Sequence, residues 1–449
     1  MKRVALALLP ALLAACQANP LLMPPASPAS VPHQLLVRFQ SGVTDAQRAE
    51  ARALVGAREP IGVLPDAERW TLPAGTSVDG AIARVQADAD VKFAQANRIH
   101  HLEDVSTAAF TPPGFALPAR TVEAVSPDDP DYHLQWDLPD DHFDAVWGSD
   151  TGKGVTVAVI DSGVDPDHPD LKANLLPLVD EIAAMGKHDL TSDGSDYDGK
   201  DGHGHGTHVC GIVGAVADNG VGISGGAPGV KILPVKVADF SGDADDATIT
   251  KGIEDAVDKG AQVINLSIGG PQPSNLLLDA LNYAFNHNVT VVIAAGNSGQ
   301  DGEADGVNYE AVNYPAAYKG VIAVGATTPS NHVAAYSSHS AQMVVVAPGG
   351  DTTGPGIFST TPTYPCEITE DEGKQPKYDY LAGTSMAAPQ VTAAVALLLN
   401  QTPGLSPAQV RTRIAASATP LGSQGYTETY GYGALNVQKL LSDTSDDGR

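Results

Sequence analysis

From Asp129 onward, short apolar runs alternate with longer stretches in which apolar residues return every three or four positions. The runs are 155–160, 232–237, 263–268, 289–295, 321–324 and 343–346. They are continuous rather than alternating, which is the pattern of strands covered on both faces. Between them, 247–258 places Ile249, Ile253, Ala256 and Val257 on one face of a helix. The alternation predicts an α/β domain, a parallel sheet with helices on both faces. In such a sheet the site gathers at the carboxyl ends of the strands.

Residues 34–102 carry a different pattern. Strands are expected at 35–39, 69–72 and 91–94, with helices at 44–55 and 77–87; Thr44 is the candidate N-cap of the first helix. The order is roughly β-α-β-β-α-β, a small ferredoxin-like α+β unit in which one middle strand is weakly marked. Residues 103–128 are rich in Pro, Ala and Ser and read as a linker open to processing; the tail 442–449 is polar.

The amino terminus reads as an export signal. Basic Met1-Lys2-Arg3 precedes an apolar run of 12 residues, 4–15, against the ~20 needed to cross a bilayer. The run ends in Leu13-Ala14-Ala15-Cys16, which resembles the lipobox of bacterial lipoprotein precursors and makes Cys16 the candidate acylation point. Residues 1–16 are then the signal peptide and 17–33 a flexible tether to the membrane. The competing reading is an ordinary signal peptide with a chance Cys.

Composition narrows the function classes. The 449 residues include 53 acidic and 26 basic side chains, a formal charge of −27, so no basic face is offered to nucleic acid. The excess acid suits a soluble surface, with some Asp residues available to a hard cation such as Ca²⁺. Past Cys16 only Cys210 and Cys366 remain, and a disulfide or two buried thiols are both open.

Three motifs fall where the fold places its site. Val157-Ala158-Val159-Ile160-Asp161-Ser162-Gly163 is a buried strand ending in a carboxylate. His205-Gly206-Thr207-His208 opens one helix, and Gly383-Thr384-Ser385-Met386-Ala387-Ala388-Pro389 opens another, with Pro389 expected in its first turn. A Ser hydroxyl becomes a nucleophile when a neutral His takes its proton, and a carboxylate fixes the tautomer of that His. A nucleophile at a helix start also gains N–H groups and the positive dipole end beside the developing oxyanion. A dense run of possible metal ligands, Asp193, Asp196, Asp198, Asp201, His203, His205 and His208, offers a metallohydrolase reading, but it lacks the general-base Glu that zinc hydrolases carry beside two His on one helix.

With Asp161, His205 and Ser385 in this chain order, the sequence from about Asp129 to Leu441 resembles the subtilisin family, within it the thermitase-like branch. The resemblance implies a serine endopeptidase acting through an acyl-enzyme on Ser385, with 129–441 as the peptidase domain and proteins and peptides as substrates. It assigns Asn297 to the oxyanion hole. It makes Ser267, Ile268 and Gly269 an edge that pairs with the substrate backbone, and Ala294, Ala295 and Gly296 the opposite wall of the primary pocket, closed below by Asn313. Small uncharged walls imply broad specificity with an apolar preference. A structural Ca²⁺ is implied at Asp129, Asp170, the Asn219 side chain and the carbonyls of Val216, Val221 and Ile223. Residues 34–102, most of all 91–101, resemble the inhibitory pro-domain of such enzymes, so the chain is expected to be made as an inhibited precursor. Gln390 and Cys210 depart from the family's usual His and Ala, His208 reads as a packed structural residue, His203 is given no role, and the acidic insertion 351–380 is unassigned.

Overall fold

The computed structural model describes residues 30–102, 125–191, 194–299, 313–422 and 425–442. Cys16, the signal peptide, most of the tether and linker, Asp193 and most of the tail lie outside the described residues.

The first unit contains β1 (Ser30–Phe39), α1 (Asp45–Ala53), β2 (Arg58–Leu64), β3 (Ala67–Thr71), α2 (Val78–Val85) and β4 (Val91–Leu102). Its sheet runs β4-β1-β3-β2, antiparallel throughout. That is the expected β-α-β-β-α-β order. Thr44 caps α1 in a capping box with Gln47. Leu35, Val37, Trp70, Ala81 and Val85 close the core between sheet and helices. The weakly marked strand is β2, where Pro60 and Gly62 disrupt the period and the register shifts twice.

Two boundaries need correction. Residues 30–33 belong to β1 rather than to a tether, because Ser30 pairs with Arg98 across a bulge. The last strand runs to Leu102 rather than 94, because its second half is paired by the other unit. Polar 95–101 carries no strand period of its own, and tertiary pairing overrides that silence.

The second unit opens with α3 (Asp137–Asp140) and β5 (Thr156–Asp161), then β6 (Val179–Asp180), α4 (Glu181–Ala184), α5 (His205–Gly214), β7 (Lys231–Lys236) and β8 (Asp243–Asp245). It continues through α6 (Asp246–Asp258), β9 (Val263–Leu266), β10 (Ile268–Gly269), α7 (Asn275–Asn286), β11 (Thr290–Ala294), β12 (Ile322–Thr327) and β13 (Met343–Pro348). It ends with β14 (Ile357–Thr360), α8 (Glu367–Glu370), β15 (Tyr378–Leu381), α9 (Thr384–Gln401), α10 (Pro407–Ser417) and α11 (Val437–Ser442). The parallel sheet is ordered β13-β12-β11-β9-β5-β7-β6. Burial on both faces explains the continuous apolar runs: along β5, Val157 and Val159 join one core, with Val209, Val213, Val391 and Val395 of α5 and α9. Ala158 and Ile160 face the other core, with Ile249, Ile253, Leu277 and Leu281 of α6 and α7. Each fully buried Val, Ile or Leu among them contributes roughly 1.5–3 kcal/mol.

The insertion 351–380 now has a structural role. Its β14 and β15 form an antiparallel hairpin against α5. Ser359 Oγ donates to the His208 carbonyl at 2.8 Å and Thr360 Oγ1 to that of Thr207 at 2.7 Å. A Cβ on Gly211 would lie 2.3 Å from Ser359 Oγ, so this approach requires glycine. Cys210 and Cys366 are both buried free thiols, and burial pushes the Cys366 thiol up to about 12.

Candidate active site

Three element ends carry the residues expected to form the triad. Asp161 is the last residue of β5, His205 the first of α5, and Ser385 the second of α9, and all three are fully buried. The Asp161 Oδ1 to His205 Nδ1 distance is 2.8 Å. The same oxygen accepts the Ser162 N–H at 2.8 Å, so it is aimed by the strand's own continuation.

The start of α5 is held by a residue that sequence reasoning placed only in a metal-like run. Asp201 accepts the Gly204 N–H at 2.7 Å, the Thr207 N–H at 2.8 Å and the Thr207 Oγ1–H at 2.6 Å. Ser162 Oγ donates to Asp201 at 2.8 Å and accepts the Gly206 N–H at 2.9 Å, tying β5 to α5. Asp201 is therefore a positioning residue, and an acid a few residues before a helix start was the signal that could have shown it. His208 is packed as expected. Its Nε2 lies 3.2 Å from the Asp379 carbonyl, and burial pushes it down to about 3. His203 is buried beside Gly242, where a Cβ would lie 3.1 Å from its Nε2.

Pro389 sits in the second turn of α9 rather than the first. Lacking an N–H, it leaves the Ser385 carbonyl without its helical donor. That carbonyl accepts Ser267 Oγ–H at 3.3 Å instead, while Ser385 Oγ lies 3.4 Å from the Ser267 carbonyl. The proline thus frees the nucleophile's backbone to lock onto the substrate edge. Gln390 is buried and donates to the Pro348 carbonyl at 2.6 Å.

Asn297 follows β11. Its side-chain Oδ1 accepts the N–H and Oγ1–H of Thr384, each at 2.9 Å, which orients the amide with its NH₂ as the donor end. Ala294, Ala295 and Gly296 lead into it, and Gly296 has φ +110, where a Cβ would lie 2.6 Å from Asn313 Nδ2. The Asn313 N–H donates to the Ala295 carbonyl at 3.0 Å, and Gly270 and Tyr314 exchange two bonds of 2.9 Å. The expected pocket residues are therefore one connected wall.

The opposite edge, β10, is occupied. Ile268 pairs with Leu102 and Gly269 with His101. On the other side β8 takes Ile99, His100 and His101, and the Leu102 N–H donates to the Gly242 carbonyl at 3.1 Å. The end of the first unit therefore lies in the groove as a middle strand. Gln95 and Asn97 anchor it by capping α7 and α6: the Asn275 N–H reaches Gln95 at 3.1 Å and the Ala247 N–H reaches Asn97 at 3.2 Å. Leu36, Val63 and Leu64 pack on Met185, Ala247 and Leu276.

The six residues expected around calcium also converge. Asp170 accepts Asn219 Nδ2 at 2.7 Å and the Ile223 N–H at 2.9 Å, and its carbonyl accepts the Val216 N–H at 2.9 Å. Asp129 accepts the N–H groups of Asp218, Asn219 and Gly220 between 2.9 and 3.2 Å. The Val221 N–H donates to Asn219 Oδ1 at 2.7 Å. Burial pushes Asp170 up to about 6 and raises Asp129. Two buried carboxylates and an amide fit a hard cation in charge and donor type. Asp128, Asp129 and Asp218 form a second grouping with ligand atoms within 4.8 Å of one another.

Residues 152–433 match the subtilase family (Peptidase_S8). The chain is 40% identical over 287 residues to Subtilisin DY of Bacillus licheniformis, covering 64% of this chain and 90% of that one. It is 39% identical over 288 residues to Subtilisin E of Bacillus subtilis (strain 168), covering 64% of this chain and 66% of that one. In structure it is similar to fervidolysin from Fervidobacterium pennivorans, described as a keratinolytic enzyme related to subtilisin, with a TM-score of 0.77 and 28% identity over 92% of this chain and 61% of that one. With the match spanning every strand of the parallel sheet and all three triad positions, the chain belongs to the subtilase family and is a serine endopeptidase.

Proposed function

We propose that this endopeptidase is exported as a precursor, that residues 30–102 inhibit it, and that Asp161, His205, Ser385 and Asn297 carry its chemistry. The observation that carries the reading is the pairing of Ile268 and Gly269 with the end of β4, which fills the edge a substrate needs. A substrate adds to the same edge through backbone hydrogen bonds, which do not themselves read sequence. His205 takes the Ser385 proton as Oγ attacks the scissile carbonyl, and Asp161 stabilises the resulting imidazolium. The Asn297 NH₂ and the Ser385 N–H, at the start of α9, donate to the oxyanion. His205 then protonates the leaving amine, and water repeats the sequence on the acyl-enzyme. The small walls at Ala294, Ala295 and Gly296 favour an apolar side chain in the primary pocket.

A serine-directed fluorophosphonate tests both halves. It should label Ser385 in the processed enzyme and react far more slowly in the intact precursor. Equal rates refute inhibition by the first unit; no labelling of the processed enzyme refutes the triad. Export and anchoring rest on the first 16 residues, and Cys16→Ala should move the protein from the membrane to the aqueous fraction if Cys16 is acylated.

Calcium is proposed at Asp129, Asp170 and the loop 216–223, where it would supply positive charge to carboxylates that burial otherwise penalises. A ligand that binds only the folded state stabilises it by ~2.7 kcal/mol at about a hundredfold excess over its dissociation constant. EDTA should therefore lower the melting temperature of the Ser385→Ala protein, which cannot digest itself, and Asp170→Ala should mimic EDTA and blunt its further effect. A melting curve indifferent to EDTA and to added Ca²⁺ removes the site.

A further inference from the structure

The strand lying in the groove carries information about side chains as well as backbone. His100 and Asp246 are 1% and 0% exposed, and His100 Nε2 lies 2.8 Å from Asp246 Oδ1. Asp246 Oδ2 also accepts Gln95 Nε2 at 2.9 Å, and the Arg98 guanidinium lies 3.8 Å away. The next residue repeats the pattern: His101 Nδ1 lies 2.6 Å from Asp243 Oδ1. Every one of these partners from β4 is a nitrogen-bearing side chain, and both acids belong to the peptidase unit. Room for the His100 ring comes from Gly270, where a Cβ would sit 3.0 Å from Nδ1.

The register gives these contacts a place relative to the chemistry. In an antiparallel pair, Leu102 opposite Ile268 and His101 opposite Gly269 set a count that reaches Ser267, whose carbonyl is 3.4 Å from Ser385 Oγ. A substrate paired in this register puts its scissile residue opposite Ser267. The residue three positions upstream then takes the place of His100, over Asp246, and the one two upstream takes the place of His101, beside Asp243.

We infer that Asp246, helped by Asp243, makes the upstream half of the groove select basic side chains: Arg, Lys or His three residues before the scissile residue. This rests on reading β4 as occupying the substrate's place. When β4 leaves, Asp246 loses the imidazole and the Gln95 amide together, and a charge-assisted hydrogen bond to that carboxylate favours a matching donor on the substrate. The preference is additional to the apolar one expected of the primary pocket. The preferred substrates are proteins with a basic residue in that upstream position and an apolar residue at the cleaved bond.

The test uses processed enzyme, with working sites counted by fluorophosphonate titration, and quenched peptides that differ only three residues before the scissile residue. Arg, Lys or His there should raise kcat/KM about 10- to 100-fold over Leu, and Glu should fall below Leu. Asp246→Asn should collapse the ratio of Arg to Leu toward one. Because Asp246 lies at the start of α6 and its variant could fail to mature, a second measurement stands apart from it. Added in trans to wild-type enzyme, the 30–102 unit with His100→Leu should inhibit at least about tenfold more weakly than the native unit. Equal cleavage of all peptides by an enzyme that titrates fully overturns the subsite, as does an unchanged inhibition constant for His100→Leu. Absence of titratable sites and of any hydrolysis would instead count against the triad.

Discussion

Ser385→Ala should lower kcat for peptide hydrolysis by on the order of 10⁶-fold, the loss that removing the nucleophile causes in subtilisin itself. In free energy that is about 8 kcal/mol of barrier. The size follows from the site. Ser385 is the hydroxyl presented at the start of α9 beside Asn297, whose amide is oriented by Thr384. The fold should survive, since alanine fits the same helix position and the Ser385 Oγ contact with the Ser267 carbonyl is long, 3.4 Å. The measurement is single-turnover cleavage of a chromogenic peptide, with circular dichroism to establish folding. The precursor of this variant should also persist uncut if processing is autocatalytic. A variant that hydrolyses casein at the wild-type rate would falsify the assignment of the nucleophile.

The legible parts of this chain were those in which local pattern and tertiary structure agree. The sheet strands announce themselves because both faces are buried, so Val155 to Ile160 reads as one apolar run whichever core each side chain joins. Asp161, His205 and Ser385 each sit at the junction of an apolar run and a Gly-rich turn, where a fold-level rule says chemistry collects. The extension of β4 through His100 and His101 was silent. These residues are polar, and what makes them strand is the pairing with β8 and β10 more than 140 residues away. Asp201 and Asp246 were hidden for a related reason. An acid in an acidic chain looks like surface, and only the structure shows that one is spent on the start of α5 and the other on a histidine of the first unit. The insertion 351–380 could not be read because the side chains that matter there, Ser359 and Thr360, act on backbone carbonyls of another element. Pro389 was read as a first-turn residue because helix starts are uncertain by a residue or two in sequence, and its role depends on which carbonyl it fails to serve.

Asp161→Ala should be the next most damaging change, lowering kcat by roughly 3 × 10⁴-fold, again by the scale known for subtilisin. The gap between this figure and that for Ser385 has a structural origin. Asp161 touches neither substrate nor oxyanion. It fixes the Nδ1 side of His205 from 2.8 Å, so that Nε2 is the basic nitrogen, and it stabilises the charge that appears when His205 is protonated. Without it, the imidazole keeps its place in α5, because Asp201 still holds the Gly204 and Thr207 amides at the start of that helix. What is lost is tautomer control and charge stabilisation, so kcat should fall while KM stays within a few-fold. Those effects act only through the transfer of the Ser385 proton. The double variant Asp161→Ala/Ser385→Ala should therefore be no slower than Ser385→Ala alone. Steady-state kinetics on the two single variants and the double variant provide the check. Two multiplying losses in the double variant, or an Asp161→Ala enzyme within tenfold of wild type, would mean that this carboxylate does not serve His205 during catalysis.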